Sequence, residues 1–94
     1  MFSNTNGKRK TWRSNYLGTV QYCIAPCSGD DILLGAGIDI SDDGICMFCS
    51  QSHREGEALI IKNQLPVPRD RAMVRWVRQY AKDLYKVGAE FVSA

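Results

Sequence analysis

The amino-acid sequence predicts a single α+β domain, in which a small antiparallel sheet of three to four strands precedes one long C-terminal amphipathic helix. Short runs rich in β-branched and aromatic residues, separated by turn residues, fill residues 16–62. Residues 69–91 carry apolar side chains at three- and four-residue steps, as an amphipathic helix does. Four cysteines in two close pairs indicate a zinc ion that stabilises the edge of the sheet.

Residues 1–14 are predicted to form a flexible basic arm ahead of the domain at residues 15–94. The arm is polar, lacks apolar periodicity and carries four basic side chains but no acidic one. Trp12 is expected to dock on the domain or on a partner. The basic residues of the arm are Lys8, Arg9, Lys10 and Arg13.

Four runs of residues are predicted to be strands. The first ends before Pro26, which lacks the N–H that a sheet needs. The second contains Gly35 and Gly37, which indicate a bulge or the close approach of another backbone or a ligand. Ser41-Asp42-Asp43-Gly44 predicts a hairpin turn with Gly44 in a left-handed conformation, so that the first three strands form an antiparallel meander. The runs are residues 16–24, 32–40, 45–50 and 57–62.

The C-terminal segment predicts the helix, from Arg69 to about Val87 or on to Phe91. Pro68 suits the first turn, and Asp70 lies near the positive end of the helix dipole. At 100° per residue the apolar side chains occupy one stripe about 100° wide, which would pack on the sheet. These apolar residues are Met73, Trp76, Val77, Tyr80, Leu84, Val87 and Phe91.

The cysteine pairs Cys23-Ile-Ala-Pro-Cys27 and Cys46-Met-Phe-Cys49 predict one structural zinc site. Four thiolates hold zinc tetrahedrally and leave no open position for a substrate. The predicted meander brings both pairs to the same edge of the sheet. The second pair resembles the Cys-x-x-Cys element of zinc-ribbon and zinc-knuckle sites, although Ser50 follows it where those sites have glycine. The resemblance implies a metal site and assigns no family.

Other roles for the cysteines stay open from the sequence. The thiols can be unligated and buried, joined in disulfides or a redox pair, or part of an iron–sulfur cluster or a catalytic thiol site. His53 follows the second pair and can replace one thiolate as a zinc ligand. Alternatively, His53 is a solvated loop residue.

Five basic side chains form a second candidate site. On the predicted helix they share a sector of about 80°, opposite the apolar stripe and nearly free of acids. Like charges four residues apart repel each other, which favours a surface kept for phosphates or for an acidic protein patch. The five are Arg71, Arg75, Arg78, Lys82 and Lys86. The arm adds further positive charge and a stacking side chain through Lys8, Arg9, Lys10 and Trp12.

Length and composition bound the class of protein. Ninety-four residues suffice for one domain, and no run approaches the roughly 18 apolar residues of a membrane span. The N-terminal residues lack the apolar run of a signal peptide. We therefore expect an intracellular, cytoplasmic protein that does not contact the membrane. The net charge is segregated: two basic and seven acidic residues give −5 in residues 16–65, and six basic and three acidic residues give +3 in residues 66–94.

These features predict a small non-enzymatic accessory protein. We expect it to dock, through the basic helix face, on a larger protein or nucleoprotein assembly with an acidic surface and to regulate that assembly. The first alternative is a zinc-stabilised regulator that binds DNA or RNA, with a salt-dependent affinity. The second is a thiol-dependent enzyme or redox carrier, which requires a reactive cysteine. No phosphate-binding glycine loop or pair of catalytic carboxylates stands out.

Overall fold

The structure is a computed structural model that describes residues 14–27 and 31–92, and every regular element within them is a β-strand. The predicted α+β class and its basic helix are therefore wrong. Among the described residues there is no helix that could span a membrane. The strands are β1 (Ser14–Asn15), β2 (Thr19–Ile24), β3 (Leu33–Ile40), β4 (Gly44–Cys49), β5 (Ala58–Ile61), β6 (Arg71–Ala81) and β7 (Leu84–Phe91).

Six of the strands close into an antiparallel barrel. The sheet runs β3-β2-β5-β6-β7-β4, and a further pairing between β3 and β4 closes the ring. The short strand β1 lies outside the ring and pairs with the end of β3, where Asn15 is opposite Asp39 and Ser14 is opposite Ile40. Closure gives each strand of the ring a neighbour on both sides, which removes the free edges of an open sheet.

The interior of the barrel is filled by side chains that alternate with outward-facing ones along each strand. On β4, Ile45, Met47 and Cys49 belong to the core, whereas Cys46 and Phe48 lie on the other side of the strand. A barrel of six strands is narrow enough for such side chains to fill it completely. The largest of the fully buried side chains are those of Val20, Tyr22, Cys23, Ile45, Met47, Leu59, Val74 and Val87.

The predicted strands and their meander are confirmed. Each of the four predicted runs overlaps one of β2 to β5, and β2, β3 and β4 pair consecutively in antiparallel register. The bulge expected near Gly37 lies between Gly37 and Asp39. Gly44 does not adopt the expected left-handed conformation. Glycine is nevertheless required at position 44, because a Cβ there would overlap the carbonyl oxygen of Ala89 on β7.

The predicted C-terminal helix is a hairpin of β6 and β7, and two bulges explain the wrong prediction. One bulge, between Val74 and Trp76, adds a residue to β6, so that Val74 is opposite Ala89 and Val77 is opposite Val87. The core-facing valines on β6 are therefore three residues apart, which is a helical spacing, although the backbone is extended. A second bulge lies between residues 79 and 81.

The turn between β6 and β7 is also incompatible with a continuous helix over this segment. The two strands are joined by Lys82 and Asp83, and Asp83 has a φ of 61°, in the left-handed region. Asp tolerates this conformation better than most residues because its short side chain can hydrogen-bond locally. The turn reverses the chain, so that β6 pairs with β7 from Ala81 and Leu84 beside the turn to Ala72 and Phe91 at the far end.

Candidate ligand-binding site

A pocket lies on the outer surface of the barrel, across β3, β4, β7 and β6. In the strand register, Asp39 is opposite Cys46, Cys46 is opposite Gly88, and Gly88 is opposite Trp76. These four residues therefore form one row across four neighbouring strands. The row places a carboxylate at one end of the pocket and an indole ring at the other.

Trp76 forms one wall of the pocket and lies flat against the backbone of Gly88. A Cβ on Gly88 would overlap the indole ring, so the close packing of the ring requires glycine at this position. The side chain of Trp76 is nevertheless 39% exposed to solvent. An exposed aromatic surface of this kind offers a stacking partner to a planar group.

Basic side chains surround the indole ring. The Nε atom of Arg75 lies 2.9 Å from Oε1 of Glu90, and both side chains are more than half exposed. The guanidinium carbon of Arg78 lies 5.8 Å from the centre of the Trp76 ring, in cation–π contact. Lys86 is opposite Arg78 in the register of β6 and β7 and lines the pocket.

The rim opposite Trp76 is formed by the turn between β3 and β4. Within it, the backbone N–H of Ser41 donates to the carbonyl oxygen of Gly44 at 2.9 Å, and that of Asp43 donates to Ser41 Oγ at 3.1 Å. The N–H of Phe91 on β7 donates to the carbonyl oxygen of Asp43 at 2.7 Å. These bonds attach the turn to the barrel, so that Asp43 is a defined part of the pocket wall.

The pocket is an open depression of the outer surface that is large enough for a small molecule. Its volume is about 700 Å³, within the range of roughly 300–1,000 Å³ of typical ligand pockets. Arg75 and Lys86 supply positive charge, Asp39 and Asp43 supply negative charge, and Trp76 supplies an aromatic surface. Such a lining suits a ligand with a planar ring, an anionic group and hydrogen-bond donors.

The structure does not bring the four cysteines together as the zinc hypothesis requires. Cys23 and Cys27 are joined by a disulfide bond. Cys46 and Cys49 are three residues apart on one strand, so Cys46 lines the outer pocket while Cys49 lies in the core. Among residues 14–27 and 31–92 no group of three or more His, Cys, Asp or Glu side chains is placed to hold a metal ion. The described residues therefore show no grouped set of ligands for the zinc ion that the sequence predicts.

His53 is a buried residue of a hydrogen-bonded network rather than a solvated loop residue. Its Nδ1 lies 3.0 Å from Glu57 Oε1, and its Nε2 lies 2.8 Å from the hydroxyl of Tyr22. Because a carboxylate only accepts, Nδ1 bears a proton, and in the neutral ring Nε2 accepts from Tyr22. Glu57 Oε1 also accepts from the backbone N–H of Arg54 at 3.1 Å.

The thiol of Cys49 extends this network into the core. It donates to the carbonyl oxygen of Gln51 at 3.6 Å. Burial raises the pKa of Cys49 and outweighs the hydrogen bonds that its thiolate form would accept from Tyr22 and from the Gln51 backbone, which lower the pKa. Burial also raises the pKa of the Tyr22 phenol. The network thus keeps its thiol protonated, whereas a reactive cysteine requires a lowered pKa.

The five basic residues predicted to share a helix face are distributed along the β6–β7 hairpin. Arg75, Arg78 and Lys86 lie around the Trp76 ring, Lys82 lies in the turn, and Arg71 is opposite Ile60 of β5 at the far end of β6. The predicted stripe is therefore wrong, although three of its residues do meet. The arm residues Lys8, Arg9, Lys10 and Trp12 lie outside the described residues.

The sequence does not reveal the pocket, for identifiable reasons. The helical periodicity places Trp76 in a buried stripe, and Asp39 and Asp43 belong to a generally acidic middle region. The informative signal was Gly88 within a run rich in β-branched and aromatic residues, because glycine inside a strand marks a close approach. The approaching group is the Trp76 ring.

The fold and the pocket together define a small antiparallel β-barrel with a candidate ligand site on its outer surface. The sequence matches no protein-family model, and a search of curated proteins finds no match. The function is therefore argued from the geometry of the site.

Proposed function

We propose that the protein is a non-enzymatic binding module whose ligand is a nucleotide, held in the pocket on the outer surface of the barrel. The observation that carries this proposal is the exposed ring of Trp76, which lies on Gly88 with Arg75 and Lys86 beside it and Asp39 across the pocket. A base would stack on the indole, since every base has a planar surface that stacks favourably on aromatic side chains.

The charges of the pocket support a nucleotide over an uncharged aromatic ligand. A phosphate would pair with Lys86 and Arg75, and such charge-assisted hydrogen bonds are the strong ones. Arg75 now pairs with Glu90 at the surface, and a pair this exposed is worth little, so exchanging it for a phosphate costs little. Asp39 or Asp43 would accept hydrogen bonds from the amino or imino groups of a base.

The basic arm supports the same proposal. Strand β1 pairs with β3 at Asn15 and Asp39, and Asp39 lines the pocket. The arm therefore joins the barrel beside the pocket. Its basic residues are close enough along the chain to add phosphate contacts, and Trp12 would add a second stacking surface. The proposed nucleotide-binding residues therefore include four residues of the arm, Lys8, Arg9, Lys10 and Trp12.

The test is isothermal titration calorimetry of the purified protein with mononucleotides, dinucleotides, nucleosides and inorganic phosphate. We expect nucleotides to bind more tightly than either the nucleoside or the phosphate. Trp76→Ala should weaken binding about tenfold or more, because stacking contributes roughly 1–3 kcal/mol per base. Trp76→Phe should retain part of the affinity. Arg71→Ala, on the same strand but outside the pocket, is the matched control.

Two results would contradict the proposal. One is the absence of heat from every nucleotide at millimolar concentration. The other is equal affinity of the wild type and Trp76→Ala for a nucleotide that does bind, since the base would then not stack on the indole.

Binding of a single-stranded nucleic acid through the same pocket is the alternative kept from the sequence. A strand would bring several phosphates to the arm and the hairpin, and its affinity would fall steeply with salt. Titrations with a mononucleotide and with a decanucleotide at two salt concentrations separate the cases. A steep salt dependence confined to the decanucleotide identifies nucleic acid as the ligand.

The remaining expectations from the sequence stay proposals. A role without catalysis fits the pocket, because among the described residues Cys46 is the only thiol that lines it, and Cys49 is kept protonated in the core. Alkylation of the native protein at neutral pH tests the thiol-enzyme alternative, which requires one cysteine to react rapidly. A cytoplasmic location remains a prediction for cell fractionation.

A further inference from the structure

The outer surface of the β6–β7 hairpin carries an apolar patch beside the pocket. The ring of Tyr80 on β6 contacts the ring of Phe48 on β4, with centres 5.6 Å apart and planes perpendicular. Because β7 lies between these two strands, the contact passes over its outer surface. Two further exposed residues belong to the same outer surface: Leu84, at the start of β7, and Leu34, on β3 two residues from Ala36, the partner of Phe48.

The patch is exposed although its residues are large and apolar. Leu34 is 61%, Tyr80 is 53% and Leu84 is 38% exposed. Clustered apolar side chains on the surface of a soluble domain mark an interaction site, whereas isolated ones do not. The aromatic pair at the centre is the kind of residue that anchors protein interfaces.

Positive charges surround the patch. Arg78 and Lys86 are opposite each other in the register of β6 and β7, and Lys82 lies in the hairpin turn. Within the described part of the chain, no carboxylate forms an ion pair with any of these three side chains. An apolar centre with a charged rim is the usual anatomy of a protein–protein interface.

We infer that this patch docks a protein partner through a segment in which apolar side chains are flanked by acidic ones. The apolar residues would cover the Phe48–Tyr80 pair and Leu84, and the carboxylates would pair with Arg78, Lys82 and Lys86. A second copy of this chain fits poorly, because two facing patches would bring their positive rims together. Nucleic acid fits less well, because of these four residues only the Phe48–Tyr80 pair offers bases a stacking surface, whereas Leu34 and Leu84 do not.

The inference does not depend on the nucleotide proposal, since no pocket ligand is needed for docking. The sequence predicts docking through a basic helix face, whereas the inferred docking surface is the apolar patch on the β6–β7 hairpin. The predicted basic helix face is replaced by a hairpin surface on which cations surround apolar residues.

The experiment is a selection of random peptides displayed on phage against the full-length protein, with counter-selection on the double variant Tyr80→Ser, Leu84→Ser. We expect the selected peptides to be enriched in Asp or Glu next to aromatic or aliphatic residues. A synthetic peptide of the consensus should bind the wild type at least tenfold more tightly than the double variant or Lys82→Glu. Leu17→Ser, which alters an 89% exposed leucine outside the patch, should leave the affinity unchanged.

Three results would overturn the inference. The first is a selection that yields no peptides specific for the wild type, and the second is a consensus without acidic residues. The third is concentration-dependent self-association of the wild type in gel filtration that the double variant abolishes, since a second copy would then be the occupant. Circular dichroism of the double variant confirms that it is folded.

Discussion

The indole of Trp76 occupies the space above Gly88 that any other residue's Cβ would fill. The two residues are opposite each other on β6 and β7, and the bulge that precedes Trp76 sets this register. A single glycine thus lets a large ring lie flat on the outside of the barrel and form a wall of the pocket.

Gly88→Ala is expected to displace the indole of Trp76. The new Cβ overlaps the ring, and overpacking of this kind typically costs about 1–3 kcal/mol of unfolding free energy. In the Trp76→Ala background the same substitution should cost close to nothing, because the overlapping group has been removed. Urea denaturation of the two single variants and the double variant measures this as a coupling energy. Equal costs of Gly88→Ala in both backgrounds would contradict the arrangement.

His53→Ala is expected to lower the free energy of unfolding by about 2–4 kcal/mol, because it leaves the buried hydroxyl of Tyr22 without its partner and creates a cavity. Tyr22→Phe should cost less, about 1–2 kcal/mol, since it removes one hydrogen bond and almost no volume. Arg54→Ala, at the exposed next residue, is the control and should lie within about 0.5 kcal/mol of the wild type. Thermal and urea unfolding measure these differences. A loss for His53→Ala no larger than that for Arg54→Ala would refute the network.

Stability is expected to fall at alkaline pH because of Cys49 and Tyr22. Burial raises the pKa of both groups in the folded state above their ordinary values of 9.0 and 10.0. Above pH 9 the folded protein therefore retains protons that the unfolded chain releases, and the unfolding free energy decreases as pH rises. The contribution of each group is complete below its ordinary pKa.

This prediction is checked by urea denaturation between pH 7 and pH 11. The double variant Cys49→Ala, Tyr22→Phe removes both groups and should show a shallower decline than the wild type above pH 9. Parallel curves for the two proteins would assign the alkaline loss to other groups.

The thiol content separates the disulfide from the expected zinc site. The structure has a Cys23–Cys27 disulfide and two free, buried cysteines, Cys46 and Cys49. Protein denatured without a reducing agent should therefore show two thiols, and four after reduction. Elemental analysis of the same sample, purified without a chelator, should show no stoichiometric zinc. One zinc per chain with four thiols released on denaturation would instead restore the tetrathiolate site.

Local sequence patterns correctly predicted four strands, a turn and a meander. Residues 19–24 and 33–40 are rich in β-branched residues or interrupted by glycines, and the Ser41–Gly44 segment has the composition of a tight turn. These features act over a few residues, so they can be recognised without knowing what the strands pack against. The separation of Cys46 from Cys49 could also have been predicted, because residues three apart on a strand face opposite sides.

The β6–β7 hairpin could not be predicted in the same way. The bulge between Val74 and Trp76 places two core-facing residues, Val74 and Val77, three positions apart, and this spacing is typical of a helix rather than of a strand. The pairing of β7 with β4 joins residues that are far apart in sequence. The pairing of β6 with β7 crosses a turn whose left-handed residue is Asp83 rather than glycine. Tertiary pairing decides such a segment, because the free energy of burying its core side chains in the barrel exceeds the small differences in local propensity.

The sequence by itself determined the strands of the first two thirds, the segregation of charge and the residue types available for binding. Only the tertiary structure decided that Trp76, Lys86 and Asp39 share one pocket, that Cys46 and Cys49 lie on opposite sides of β4, and that His53 is buried with Tyr22. The physical reason is that strand register and barrel closure bring together residues from distant parts of the chain. These contacts depend on how all six strands pack, and no local pattern encodes them.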